Sequence, residues 1–133
     1  MSDELMRRGM GWLRDWPDFR DYTVDHVEIQ PLINRTQVAA AAKPKAPATA
    51  PATVDLRPWC SPIEDQGALG SCTANAGVGL VEYFERRAFG RHIDASRLFL
   101  YKATRNLVHW AGDTGAFLRT TMGALALFGV PPE

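Results

Sequence analysis

The run Asp65-Gln66-Gly67-Ala68-Leu69-Gly70-Ser71-Cys72-Thr73-Ala74-Asn75-Ala76 places a cysteine directly after Gly-Ser, at the head of a segment with helical patterning. At a helix start the free N–H groups and the macrodipole converge. That environment favours thiolate over thiol, the form a nucleophilic cysteine needs. Gly67 and Gly70 let the backbone turn sharply into the helix and approach a substrate closely. Gln66, six residues before Cys72, offers a side-chain NH₂ across that turn. An amide donor beside a nucleophile suits the oxyanion of a tetrahedral intermediate, and the backbone N–H of Cys72 would be the second donor. The competing interpretation is an inert core cysteine, the usual fate of a free thiol.

Downstream, Cys72–Phe89 is predicted as a helix, with Val78, Val81 and Phe84/Glu85 at helical spacing and Gly90 as its stop. A second helix begins at Asp94 or Ser96, either of which can cap it, and carries Leu98, Phe99, Tyr101, Leu107 and Val108. A third spans about 115–128, with Phe117, Met122, Leu125 and Phe128 as its apolar positions. Gly129 and the Pro131-Pro132 pair end it. No segment alternates convincingly enough to be a strand, and no internal repeat is present.

Upstream the organisation changes, and three regions are expected: 1–37, 38–53 and 54–133. The domain proper starts near Val54. Residues 38–53, VAAAAKPKAPATAPAT, hold no large apolar residue and read as a semi-extended linker. Residues 1–37 are polar and rich in breakers. Within them Gly11–Tyr22 sets Trp12, Trp16, Phe19 and Tyr22 among charges, and Pro17 argues for an extended, turned path. These aromatics are expected to cover the core of the main domain, the alternative being a pro-segment-like or partner-contacting arm.

The bulk composition excludes several classes of function. Lys plus Arg and Asp plus Glu balance at 15 each, so no charge excess points to nucleic acid. With 46% apolar and 23% charged residues, the chain has the make-up of a soluble globular protein of one modest domain. Two cysteines cannot build a disulfide framework. No apolar run is long enough for a signal peptide core or a membrane span, so a cytoplasmic location with no membrane partner is expected. Cys60, Cys72, His26, His92 and His109 lack zinc-site spacing, and neither a metal nor a cofactor is expected.

The Gln66-to-Cys72 run resembles the active-site loop of the papain-like (C1 family) cysteine peptidases, bacterial type. The likeness extends over about residues 54–133. Val54-Asp55-Leu56-Arg57 and Ser61-Pro62-Ile63-Glu64-Asp65 look like the family's mature N-terminus leading into its glutamine. Ser96-Arg97-Leu98-Phe99-Leu100-Tyr101 looks like the segment after its central helix, and Asp113-Thr114-Gly115-Ala116-Phe117 is similar to its glycine-containing cleft loop. Gly129-Val130-Pro131-Pro132-Glu133 looks like the turn after the next helix, and Gly11–Tyr22 like the leader of bacterial members. Leu69 stands where typical members have a disulfide-forming cysteine, and Thr73 where they have an aromatic residue.

The resemblance implies an α+β papain-like fold of which mainly the helical lobe is visible. It also implies Cys72 as nucleophile, Gln66 in the oxyanion hole, and Gly70, Ser71, Gly115 and Phe117 against a peptide or protein substrate. Gly115 would pair with substrate backbone and Phe117 would lie near a side-chain pocket. The family's histidine base and its asparagine lie roughly 130–150 residues after the cysteine, whereas this sequence runs 61 residues past Cys72. The β-barrel-like lobe that carries them is therefore expected to be absent and the domain truncated. Two functions follow as expectations. One is peptide-bond hydrolysis through a thioacyl-enzyme at Cys72 in the parent protein. The other is a non-catalytic half whose exposed cleft face meets a complementary lobe or a second copy.

Overall fold

The computed structural model describes residues 10–34 and 52–133, in two units: the chain up to Asp15 with Leu56–Glu133, and Trp16–Asp55. Most of the Ala/Pro tract expected to be a linker lies outside the described residues. Trp16–Asp55 is built from local turns. Asp21 N donates to Asp18 O at 3.0 Å, Arg20 N to Asp18 Oδ1 at 2.9 Å, and residues 30–34 form a helical turn. Trp16, Phe19 and Tyr22 are all exposed. Short turns punctuated by Asp and Pro present no continuous face of their own on which to bury a ring.

Among its described residues the larger unit holds three α-helices, α1 (Cys72–Phe89), α2 (Arg97–Leu107) and α3 (Leu118–Phe128), a 3₁₀ turn (Arg57–Trp59) and two short strands, β1 (Trp12–Leu13) and β2 (Ala116–Phe117). α1 has the predicted bounds. It stops because Gly90 takes the left-handed conformation (φ 70°) while its N–H closes on Arg86 O at 2.9 Å. Ser96, not Asp94, caps α2, its side chain accepting from Phe99 N at 3.3 Å. After α3 the chain runs back beside the start of α2. Ser96 N donates to Pro131 O (2.8 Å) and Glu133 N to Asp94 O (2.9 Å).

The helices pack through small and polar residues rather than the large apolar ones that periodicity suggests. On α1 the buried face is Ala74, Val78 and Glu82, one helical turn apart, while Phe84 is exposed. Gly77 sits where a Cβ would come 3.1 Å from Met122 Cε and 3.3 Å from Leu100 Cδ2, so it sets how closely α1 approaches its neighbours. On α2 Leu100 is fully buried while Leu98 and Phe99 lie outside; on α3 Thr121 and Ala124 are buried while Met122 and Phe128 are not. Full burial of Val78 or Leu100 contributes about 1.5–3 kcal/mol each. Glu82 and Arg97 fill the remaining space as an ion pair at 2.9 Å.

The third helix starts at Leu118, not near Gly115, because the preceding residues are extended. β2 pairs in parallel with β1 in the register Trp12↔Ala116 and Leu13↔Phe117, and Ala116 N donates to Gly11 O at 2.8 Å. Gly11 is buried so tightly that a Cβ there would fall 1.7 Å from Gly70 O. Gly11→Ala is therefore expected to expel β1. The unfolding free energy should fall by about 1–3 kcal/mol, the usual cost of forcing a group into a packed site. Hydrogen exchange should show the Ala116 amide losing protection while the amides of α1 keep theirs. An unchanged Ala116 amide would show that the β1 contact is not maintained in solution.

Candidate active site

Cys72 is the first residue of α1 and is partly buried. Ser71, buried and just outside the helix, starts it without any side-chain cap. The first-turn amides of a helix have no intrahelical acceptor, so an uncapped start leaves donors that an incoming anion can use. Ser71 itself is fixed from within α1. Asn75 Nδ2 donates to Ser71 O (3.0 Å) and Ser71 Oγ (3.1 Å), and Asn75 N donates to Ser71 O (2.9 Å).

Ahead of the helix the loop closes on itself. Gln66 Nε2 donates to Leu69 O at 2.8 Å, and Leu69 N returns a bond to Gln66 O at 3.3 Å. The amide of Gln66 thus turns toward its own loop, and one of its two hydrogens goes to Leu69. Gly67 takes φ 59° and its N–H donates to Asp65 Oδ1 at 3.0 Å. Leu69 packs against the core edge. Thr73, where an aromatic was expected from the resemblance, is buried, and its hydroxyl shares a 3.1 Å hydrogen bond with that of Thr121. Thr121 also donates to Phe117 O at 2.9 Å, so small hydroxyls join α1 to α3 behind the cysteine.

Asp113, not singled out by the sequence reading for any role of its own, ties this loop to the rest of the fold. Both of its carboxylate oxygens lie 3.0 Å from Gly70 N, and Tyr101 donates to Oδ1 at 2.5 Å. Tyr101 Oη also accepts from Gly115 N at 3.1 Å. One turn further along α2, Arg105 donates to Gly115 O and to Ala111 O. The bonds from Tyr101 and Gly70 hold the Asp113 carboxyl below the usual carboxylate range. Burial first, and then the bond to Asp113, push the Tyr101 phenol up. The sign for Asp113 follows. Its contribution to stability is complete above the ordinary carboxylate range and is lost as pH falls through its lowered native value.

Of the sequence-predicted residues, Gly70, Ser71, Cys72 and Gly115 are brought together: a Cβ on Gly70 would sit 3.4 Å from Gly115 N. Gly11 wedges into the same spot, since a Cβ on Gly115 would meet Gly11 O at 2.2 Å. Both backbone polar groups of Gly115 are engaged inside the fold, by Tyr101 and Arg105. Phe117 stands next along β2, its ring 5.5 Å from that of Trp110. Beside Gln66 lies an open depression of about 280 Å³ whose rim includes Leu69, Ser71, Asn75 and Leu98. Both cysteines are free thiols, Cys60 exposed and Cys72 partly buried. The signal that could have exposed the Tyr101–Arg105 pair was their i, i+4 spacing on α2.

No family model matches the chain, while both a curated protein and a solved structure are similar to it. An uncharacterised peptidase C1-like protein of Acanthamoeba polyphaga mimivirus is 31% identical over 140 residues, covering 100% of this chain and 43% of the relative. The crystal structure of xylellain, a cysteine protease from Xylella fastidiosa, superposes with a TM-score of 0.65 at 30% identity, covering 96% of this chain and 42% of the other. The chain spans a little over two fifths of the length of each. The mostly helical architecture matches the helical lobe of the papain-like fold.

Proposed function

We propose that this chain, papain-like and C1-type in sequence and fold, supplies the nucleophile-bearing half of a thiol peptidase in which Cys72 attacks the scissile carbonyl of a peptide. The observation that carries the proposal is the placement of Cys72 as the first residue of an uncapped helix, behind a loop fixed by Gln66, Gly70 and Ser71. The first-turn amides of α1 would face the charge that develops on the substrate oxygen. Attack would form a thioacyl-enzyme and release the amine. Water would then release the acid, both steps drawing on a histidine outside this chain. Gln66 is the side-chain oxyanion donor in this reading. Gly115 and Phe117 border the cleft, Gly115 through its left-handed backbone rather than through main-chain pairing, because its N–H and C=O are already engaged.

Selective alkylation tests the nucleophile. Cys60 is exposed and Cys72 only partly so, hence access alone favours Cys60. Iodoacetamide followed by peptide mapping is nonetheless expected to label Cys72 several-fold faster, as befits a nucleophile at an open helix start. Labelling of Cys60 first, in proportion to its exposure, would make Cys72 an ordinary buried thiol.

A further inference from the structure

We propose that Asp113 is a positioning residue for Cys72, acting through Gly70 and held in place by Tyr101. The inference rests on Cys72 being the nucleophile. Residues 66–71 are a loop with two glycines, which lose more conformational freedom on ordering than any other residue. No disulfide anchors it, since both cysteines are free. The bonds Gln66–Leu69 and Gly67–Asp65 are local, spanning two or three residues. The bond from Gly70 N to Asp113 spans 43 residues and connects the loop, through Tyr101, to α2. Gly70 stands two residues ahead of the cysteine.

The geometry is that of a fitted clamp. The Gly70 N–H is shared between both carboxylate oxygens, and such charge-assisted bonds are roughly twice as strong as neutral ones. A Cβ on Gly70 would come 2.9 Å from Asp113 Oδ1, so the carboxylate occupies the space that a side chain would need. Asp113 in turn is aimed by Tyr101, whose ring is buried on α2 and whose hydroxyl joins Asp113 to Gly115 N. Arg105, stacked over Tyr101 at 5.5 Å, holds the carbonyls of Ala111 and Gly115 on either side. α2 therefore acts as a bracket. It fixes the 111–115 loop, and Asp113 passes that fixed position to the residue that sets where α1, and with it the sulfur, begins.

Two readouts on the 133-residue chain test this. Asp113→Ala removes the acceptor, Asp113→Asn keeps one oxygen acceptor, and Tyr101→Phe removes the hydroxyl that aims it. In Asp113→Ala the amides of Gly70, Ser71 and Cys72 are expected to exchange about tenfold faster, the factor that one charge-assisted hydrogen bond represents. The amides of α2 and α3 should be unchanged. The ratio of Cys72 to Cys60 alkylation should drop by a similar factor, with Asp113→Asn restoring most of it and Tyr101→Phe lying between. Equal exchange at Gly70–Cys72 in a folded Asp113→Ala protein, or in Tyr101→Phe should Asp113→Ala not fold, overturns the proposal. So does a loss in exchange protection spread evenly over all helices, which marks a merely structural role. If the unsubstituted chain shows no Cys72 preference at all, the nucleophile assignment fails, while the exchange readout still decides whether Asp113 holds the loop.

Discussion

Assayed alone on a peptide substrate, the 133-residue polypeptide is expected to give no measurable turnover, and a histidine-bearing complementary lobe, supplied in one chain or as a separate fragment, is expected to restore it. The proposed chemistry draws on a histidine other than the three of this sequence. The Nδ1 of His26 accepts from Thr23 N at 2.8 Å. His92 is exposed in the connection after α1. His109, with φ 56°, turns the chain beyond α2, and it too is exposed. A thiolate can attack a carbonyl unaided, but without an acid the leaving amine departs slowly. General acid–base help contributes about 10²–10⁴-fold, and groups that act as one unit lose most of their effect when one is missing. In the reconstituted enzyme Cys72→Ala should abolish turnover. Gln66→Ala should cost about 10²–10³-fold, as expected for one oxyanion donor. Rapid cleavage by the short chain that survives Cys72→Ala would remove both the nucleophile and the need for a second lobe.

The head of α1 was legible in the sequence because its signals are local and chemical: Gly-Ser before the cysteine, Gly90 eighteen residues after it. The same holds for the Ser96 cap. What periodicity could not reveal was which polar residues are buried. Phe84, Leu98 and Phe99 fit an apolar stripe, yet Glu82, Arg97 and Arg105 take the inward positions. Each is satisfied by a partner on another part of the chain, and that pairing is a tertiary fact. The pairing of Trp12 with Ala116 is hidden for the same reason. Each strand is two residues long, too short to alternate, and its partner lies about a hundred residues away. Asp113 sat in a stretch already noted for its glycine, but nothing local says that its carboxylate reaches Gly70.

Glu82→Ala is expected to destabilise the helical unit more than any other single substitution on α1. The Glu82 side chain is fully buried and that of Arg97 is 10% exposed. Oε2 meets Arg97 Nη2 at 2.9 Å, while Oε1 accepts from Ala95 N at 3.0 Å. Arg97 further donates to Ala95 O at 3.2 Å and to Asp94 Oδ1 at 3.4 Å. Removing Glu82 strands a buried guanidinium and a buried amide together. Breaking a buried pair on one side costs about 3–5 kcal/mol, a large share of the roughly 5–15 kcal/mol that holds a typical domain folded. The damage should spread along the connection, because Ala95 pairs with Pro132 and Ser96 caps α2. Glu82→Gln keeps an acceptor for Ala95 N and should lose less. The double variant Glu82→Leu/Arg97→Met removes both charges, so it should recover much of the loss. It should still fall short of the parent by about 1–3 kcal/mol, since Ala95 N remains unsatisfied. Urea denaturation of the four proteins measures this order directly. A Glu82→Ala midpoint within error of the parent would mean that water reaches the pair, and that the packing of Ala74 and Val78 alone holds α1 to α2.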